Sequence, residues 1–290
     1  MINNKLLPVK IKGTAIMSLE HSDISKMLEV ATVAARLAGQ RAMEDIKYIT
    51  PEIKNGSEIV TQADRNCQKI IIDRIKENYP DHGFIAEEGA DGGPLFQQPR
   101  SSTPIWWIID PIDGTNNYAH GILDFSVSIA AVYEGSPIVA VIFAPATDSM
   151  FTTARDADAL LNCSRINTSE DDIDRYSSFG IDSHFNPDQA DTIAHLIKET
   201  RFRNLGSTAL HLAYIAKGAM IGCMTTTTKI WDIAAGVLLI ENAGGVVTDL
   251  EGKAIFPIED MEKAARSPHL VLAANKKTHE KLKKMLSASS

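Results

Sequence analysis

The sequence predicts an α+β fold that passes into an α/β half towards the C-terminus. Three observations carry that expectation. Two helical patterns precede any strand, a series of strand patterns then follows with no helix between them, and after about residue 175 strands and helices alternate.

The first helix is expected from Ser22-Asp23, a favourable cap, to about Ile46, because Ile24, Met27, Leu28, Ala31, Ala34, Ala35 and Ala38 recur at helical spacing. A loop is expected around Pro51 to Gly56. A second helix follows over residues 63–78 and is stopped by Tyr79-Pro80. Strand patterns occupy residues 84–86, 105–109, 125–132, 138–143, 150–153 and 159–161, with Glu134-Gly135-Ser136-Pro137 closing a hairpin. That succession predicts a largely antiparallel sheet with the two helices laid across it. In the second half, strands at 177–181, 203–205, 220–224, 246–248 and 269–273 alternate with helices at 187–199, 207–217, 231–243 and the C-terminus. Asn167-Thr168-Ser169 runs into four acidic residues among five, which marks a boundary. The expected organisation is an N-terminal extension (1–17), an α+β half (18–170) and an α/β half (171–290).

The 290 residues are 44% hydrophobic, enough for a well-buried core. The net charge of −8, with both signs intermixed, argues against an extended nucleic-acid surface, since phosphate backbones are held mainly by clustered Lys and Arg. The C-terminal lysines Lys276, Lys277, Lys281, Lys283 and Lys284 fall at helical spacing around Glu280 and read as a solvated helix face. Cys67, Cys163 and Cys223 are odd in number and far apart, so a reducing cytoplasm is expected. No apolar run approaches the roughly 18 residues that cross a bilayer, and Pro8, Lys10, Lys12 and Gly13 interrupt any signal-peptide core.

The chemistry is concentrated in Trp106-Trp-Ile-Ile-Asp-Pro-Ile-Asp-Gly-Thr115. An apolar strand delivers Asp110, and Pro111, which has no N–H for the ladder, is expected to end that strand. Asp113 follows three residues later across a tight turn. Gly114 lets the backbone approach a ligand, and the amides of Gly114 and Thr115 would cradle an anion if a helical turn begins there. Two carboxylates about 4 Å apart cost several kcal/mol at an effective dielectric of about 20, a cost that metal ions commonly offset. A surface turn is the alternative reading of Asp-Pro-Ile-Asp-Gly-Thr, but the strand before it is too apolar to end in solvent. Glu87-Glu88 closes a neighbouring apolar run. Asp64 and Asp232 each sit where a helix begins, and the helix dipole alone explains a carboxylate there.

Taken together, these segments resemble the inositol monophosphatase family, within the lithium-sensitive, magnesium-dependent phosphatases. The resemblance is carried by Asp110-Pro-Ile-Asp-Gly-Thr-Asn-Asn-Tyr118, Gly83-Phe-Ile-Ala-Glu-Glu-Gly89, Val60-Thr-Gln-Ala-Asp64, and Trp231-Asp-Ile-Ala-Ala-Gly236 followed by Glu241-Asn-Ala-Gly-Gly-Val246. It implies a layered αβαβα sandwich, a homodimer and two or three Mg²⁺ ions per site. It also implies that Glu87, Asp110 and the Ile112 carbonyl bind one ion, that Asp110, Asp113 and Asp232 bind a second, and that a weaker third leans on Glu87. Thr115 and Asp64 would polarise the attacking water, with Glu87 orienting it. An all-oxygen donor set agrees with a hard cation, and paired ions suit phosphate-ester hydrolysis.

The expected substrate is a small phosphorylated metabolite, first of all inositol 1-phosphate, with histidinol phosphate, fructose 1,6-bisphosphate and 3′-phosphoadenosine phosphate as alternatives. By the same resemblance, Asp113 and the backbone of Gly206-Ser207-Thr208 would read substrate hydroxyls. The chain departs from the family at Thr225, where an acidic residue is expected to bind the polyol. His82, His120 and His211 lack metal-pair spacing and read as loop or core histidines. A non-catalytic regulatory protein on the same fold is the alternative from another class; such a protein would be expected to have lost a ligand carboxylate or the site Thr, and all are present.

Overall fold

A computed structural model describes residues 19–54, 58–101, 103–182 and 190–287. The expected N-terminal extension lies outside the described residues, as does the start of the helix expected from Pro187.

The described residues open with α1 (His21–Asp45), the hairpin β1 (Pro51–Lys54) and β2 (Glu58–Thr61), and α2 (Gln62–Asn78). The loop expected around Pro51 is therefore largely strand. Next come β3 (Gly83–Ala86), β4 (Leu95–Gln97), β5 (Ile105–Asp113), the short α3 (Thr115–Ala119), β6 (Ser126–Tyr133), β7 (Ser136–Ala144), β8 (Ser149–Ala154), β9 (Leu160–Leu161) and β10 (Ser164–Arg165). The second half contains β11 (Ser178–Ile181), α4 (Ala190–Glu199), β12 (Arg201–Arg203), α5 (Thr208–Ala216), β13 (Gly222–Thr228), α6 (Ile230–Asn242) and β14 (Gly245–Thr248). It closes with α7 (Met261–Arg266), β15 (His269–Asn275) and α8 (His279–Ser287).

An eight-stranded sheet runs in the order β10-β9-β8-β7-β6-β5-β3-β4, antiparallel except where β3 lies parallel to β5. A five-stranded sheet runs β12-β11-β13-β15-β14 and is mixed. The layers are α1 and α2, the large sheet, α5 and α6, the small sheet, then α4 and α8. This is the expected αβαβα sandwich.

Each interface has its own apolar population. The stripe of α1 is mostly small, with Ala31, Ala34, Ala35, Ala38 and Ala42 buried, so the helix sits close on the sheet. Gly39 marks the nearest approach, since a Cβ there would lie 2.6 Å from the Phe143 ring. Between the sheets, α6 is apolar almost all round, as a helix covered on both sides must be. Small residues again permit contact: a Cβ on Gly236 would lie 2.3 Å from Leu212 Cδ1 of α5.

Strand β5 departs from expectation in a way that builds the site. It does not stop at Pro111 but continues to Asp113. Its partners on β6 step from Asp110↔Ser128 to Asp113↔Ser126, so β5 carries one extra residue in a bulge. The bulge accommodates the proline's missing donor. It also changes facing: residues three apart point to opposite sides of a regular strand, and the extra residue returns Asp113 to the side of Asp110.

Candidate metal and phosphate site

Two elements bring three carboxylates to one point. Asp110 and Asp113 come from the bulge of β5, and Asp232 from the first turn of α6. Each offers a carboxylate oxygen, and the three oxygens lie within 4.8 Å of one another. Burial pushes Asp110 well above the usual carboxylate range, and the charges of Glu87, Asp113, Asp232 and Asp64 push it further. Burial raises Asp113 to about 6, although hydrogen bonds from Ser207, Ala209 and Thr208 pull the other way. Asp232 is raised to about 7 by burial and then by Asp113. Like charges this close repel by several kcal/mol per pair at an effective dielectric of about 20, and a cation held among them would offset that repulsion.

Helix starts supply the framework. On α6, Asp232 Oδ2 accepts the Lys229 N–H at 2.7 Å, the local role its position predicts. The carboxylate therefore caps its helix and faces the cluster. Asp64 divides its oxygens in the same manner. Its Oδ2 accepts from the Thr61 N–H at 2.7 Å and the Thr61 hydroxyl at 2.6 Å, while Oδ1 lies 3.3 Å from the Thr115 hydroxyl. That hydroxyl also stands 3.0 Å from the Ile112 carbonyl, and its single proton serves one acceptor at a time. Burial raises the Asp64 carboxyl to about 6.

Asp113 joins the two halves of the chain. It accepts from the Ser207 hydroxyl, the Ala209 N–H at 2.6 Å and the Thr208 N–H at 3.3 Å at the start of α5. Gly114, at φ 99°, precedes α3, so the anticipated helical turn does begin at Thr115. A Cβ on Gly114 would come within 3.2 Å of the Gly206 carbonyl, and Gly206 itself has φ 69° with Asn117 2.5 Å from its Cβ position. Asn117 Nδ2 donates to the Leu205 and Asp124 carbonyls, each at 2.7 Å. Sequence reasoning missed Asn117, although it lies inside the motif that carried the resemblance.

Glu87 stands outside the three-carboxylate group, yet its charge reaches Asp110. Thr225 is fully buried on β13, its hydroxyl 3.4 Å from that of Thr228. The threonine tract thus extends the strand expected at 220–224, with Thr228 donating to the His269 carbonyl at 3.0 Å. His82 accepts from Trp107 Nε1 at 3.0 Å and His211 accepts from the Leu205 N–H at 3.0 Å, so both brace structure. His120 Nδ1 lies 2.8 Å from the Asn116 carbonyl in the loop after α3.

The model of the inositol monophosphatase family matches residues 23–290. The chain belongs to the inositol monophosphatase family. Within it, a Thermotoga maritima protein named fructose-1,6-bisphosphatase/inositol-1-monophosphatase is 37% identical over 204 residues, covering 70% of this chain and 76% of its own. A Vibrio cholerae protein named Nus factor SuhB is 35% identical over 235 residues, covering 78% and 86%. The crystal structure of the extragenic suppressor protein suhB from Bartonella henselae superposes with a TM-score of 0.80 at 30% identity, covering 90% of this chain and 98% of that one. Membership in the inositol monophosphatase family fixes the fold and the general character of the chain, while the substrate rests on the site.

Proposed function

We propose that this protein is a Mg²⁺-dependent phosphomonoesterase of small polyol or sugar phosphates, with inositol 1-phosphate its foremost substrate. The observation that carries this reading is the convergence of Asp110, Asp113 and Asp232 beside the Thr115–Asp64 pair. The residues fit the ion: the donors are all oxygen and, the Ile112 carbonyl apart, anionic, the character that suits a hard divalent cation. Glu87, Asp110 and the Ile112 carbonyl would hold one Mg²⁺, and Asp110, Asp113 and Asp232 another, with Glu87 supporting a third. Bound there, the ions would neutralise the developing charge of an in-line phosphoryl transfer and acidify water.

The chain's own groups handle the proton and the phosphate. Thr115 donates its hydroxyl proton towards Asp64, which leaves a lone pair free to accept from a water molecule. Asp64, raised to about 6, accepts a proton near neutrality more readily than an ordinary aspartate. Glu87 orients that water. The Gly114 and Thr115 amides hold phosphate oxygens at the start of α3. Asp113 and the Gly206-Ser207-Thr208 backbone face the substrate hydroxyls, and Thr225 contributes no charge to their recognition.

The free thiols Cys67, Cys163 and Cys223 fit a cytoplasmic setting, and no described helix is long and apolar enough to cross a membrane. We take the active form to be a homodimer without nucleic acid. The likeness to a protein named Nus factor supports a second, regulatory reading that coexists with the intact carboxylate set. A panel of inositol 1-phosphate, fructose 1,6-bisphosphate, histidinol phosphate and 3′-phosphoadenosine phosphate tests the assignment. The expected result is Mg²⁺-dependent phosphate release, greatest with inositol 1-phosphate. Absence of release from every ester would leave the regulatory reading standing alone.

A further inference from the structure

Asp64 and Gln68 lie four residues apart on α2 and therefore share one helix face. That face touches the site twice. Asp64 meets Thr115, while Gln68 grips the backbone beyond β3: its Nε2 donates to the Glu88 carbonyl at 2.5 Å, and its Oε1 accepts the Glu88 N–H at 2.9 Å. An amide is the uncharged side chain that can satisfy both backbone groups of one residue. Glu87, immediately before this clamp, is tied on its other side to β5, its N–H donating to the Ile109 carbonyl at 3.3 Å. Beyond the clamp, Glu88 and Gly89 line a cleft of about 510 Å³ on one side, while the Gly89 N–H donates to the Gly93 carbonyl at 2.7 Å on the other. Gln68 itself is 7% exposed.

We propose that Gln68 is a positioning residue for the metal centre, fixing where Glu87 presents its carboxylate by clamping the Glu88 backbone. The proposal rests on the reading of Glu87 as a metal ligand. Helix α2 then sets the register of the Thr115–Asp64 pair and of Glu87 together, although Gln68 touches neither ion nor substrate.

The test is Mg²⁺ binding measured by calorimetry on the full chain, with thermal melting alongside. Gln68→Met keeps the length of the side chain and removes both hydrogen bonds. It should weaken Mg²⁺ binding about tenfold, the scale on which groups that orient metal ligands act. Gln68→Asn, too short to span both backbone groups, is the milder companion should the first fail to fold, and should shift binding in the same direction. Ile71→Val, in the core on the same helix, should lower stability while leaving Mg²⁺ affinity in place. Affinity within twofold of the parent in the Gln68 variants, with Glu87→Gln weakening it, would overturn the positioning role alone. An equal loss in Ile71→Val would reduce Gln68 to general stability and overturn it likewise. If Glu87→Gln leaves Mg²⁺ binding unchanged, the ligand reading fails and the inference falls with it.

Discussion

At the residue scale, Asp110 concentrates the cost of the site. It is 2% exposed, and four neighbouring carboxylates oppose its ionisation. Asp110→Asn removes one of these charges and should raise the melting temperature of the metal-free protein by a few degrees. For a chain of this size, about 1 kcal/mol corresponds to roughly 2–4 °C. The same change should lower turnover by at least about a hundredfold, since loss of a ligand exceeds loss of its outer partners. Calorimetric melting and phosphate release check the two halves of this prediction. Thr225 gives a second case. Thr225→Glu restores a charged acceptor for substrate hydroxyls and should lower KM for inositol 1-phosphate about tenfold, the scale of a charge-assisted hydrogen bond. Hydrolysis of β-glycerophosphate should change little. The position is fully buried beside Thr228, so the variant should also melt earlier. Equal effects on both esters would show that residue 225 does not read the polyol.

At the scale of elements, α5 and α6 are one functional unit. The first turn of α5 donates to Asp113, that of α6 carries Asp232, and the helices meet where Gly236 faces Leu212. Gly236→Ala would force its methyl into Leu212 and should destabilise by about 1–3 kcal/mol. Denaturant titration measures this, and turnover should fall with it because both helix starts shift. The period of the sequence revealed these helices, and also α1, α2 and the central strands, because apolar spacing reports the face an element buries. What escaped was structure set by partners. The β1–β2 hairpin was hidden behind Pro51 and Gly56. The extension of β5 past Pro111 depends on a bulge against β6, and the strand at Thr225–Thr228 depends on β15 beside it. The clustered carboxylates Asp110, Asp113 and Asp232 were legible from motif resemblance. Gln68 and Asn117 were not, because they act on backbone groups that only the fold brings near.

At the scale of the molecule, the buried groups predict how pH and Mg²⁺ combine. Asp64, Asp113 and Asp232 are raised to about 6, 6 and 7 in the metal-free fold, above the unfolded value near 4. Between about pH 4 and 7 the folded state binds more of these protons, so their contribution to stability falls as pH rises. His82 and His211, lowered to about 4 by burial, act in the opposite sense: the unfolded chain binds their protons, and stability rises with pH over about 4 to 6.5. Mg²⁺ held as proposed would compete with protons for the carboxylates, not for these histidines. The increase in melting temperature on adding Mg²⁺ should therefore be larger at pH 8 than at pH 5, which scanning calorimetry at the two values checks. We propose that Asp110, Asp113 and Asp232 form a magnesium-dependent phosphatase centre. Its most direct test is phosphate release from inositol 1-phosphate by the purified protein as Mg²⁺ is titrated from zero, with Asp110→Asn measured beside it. Release should appear only with Mg²⁺, saturate, and be lost in the variant. Release without Mg²⁺, or undiminished release by Asp110→Asn at saturating Mg²⁺, would contradict it.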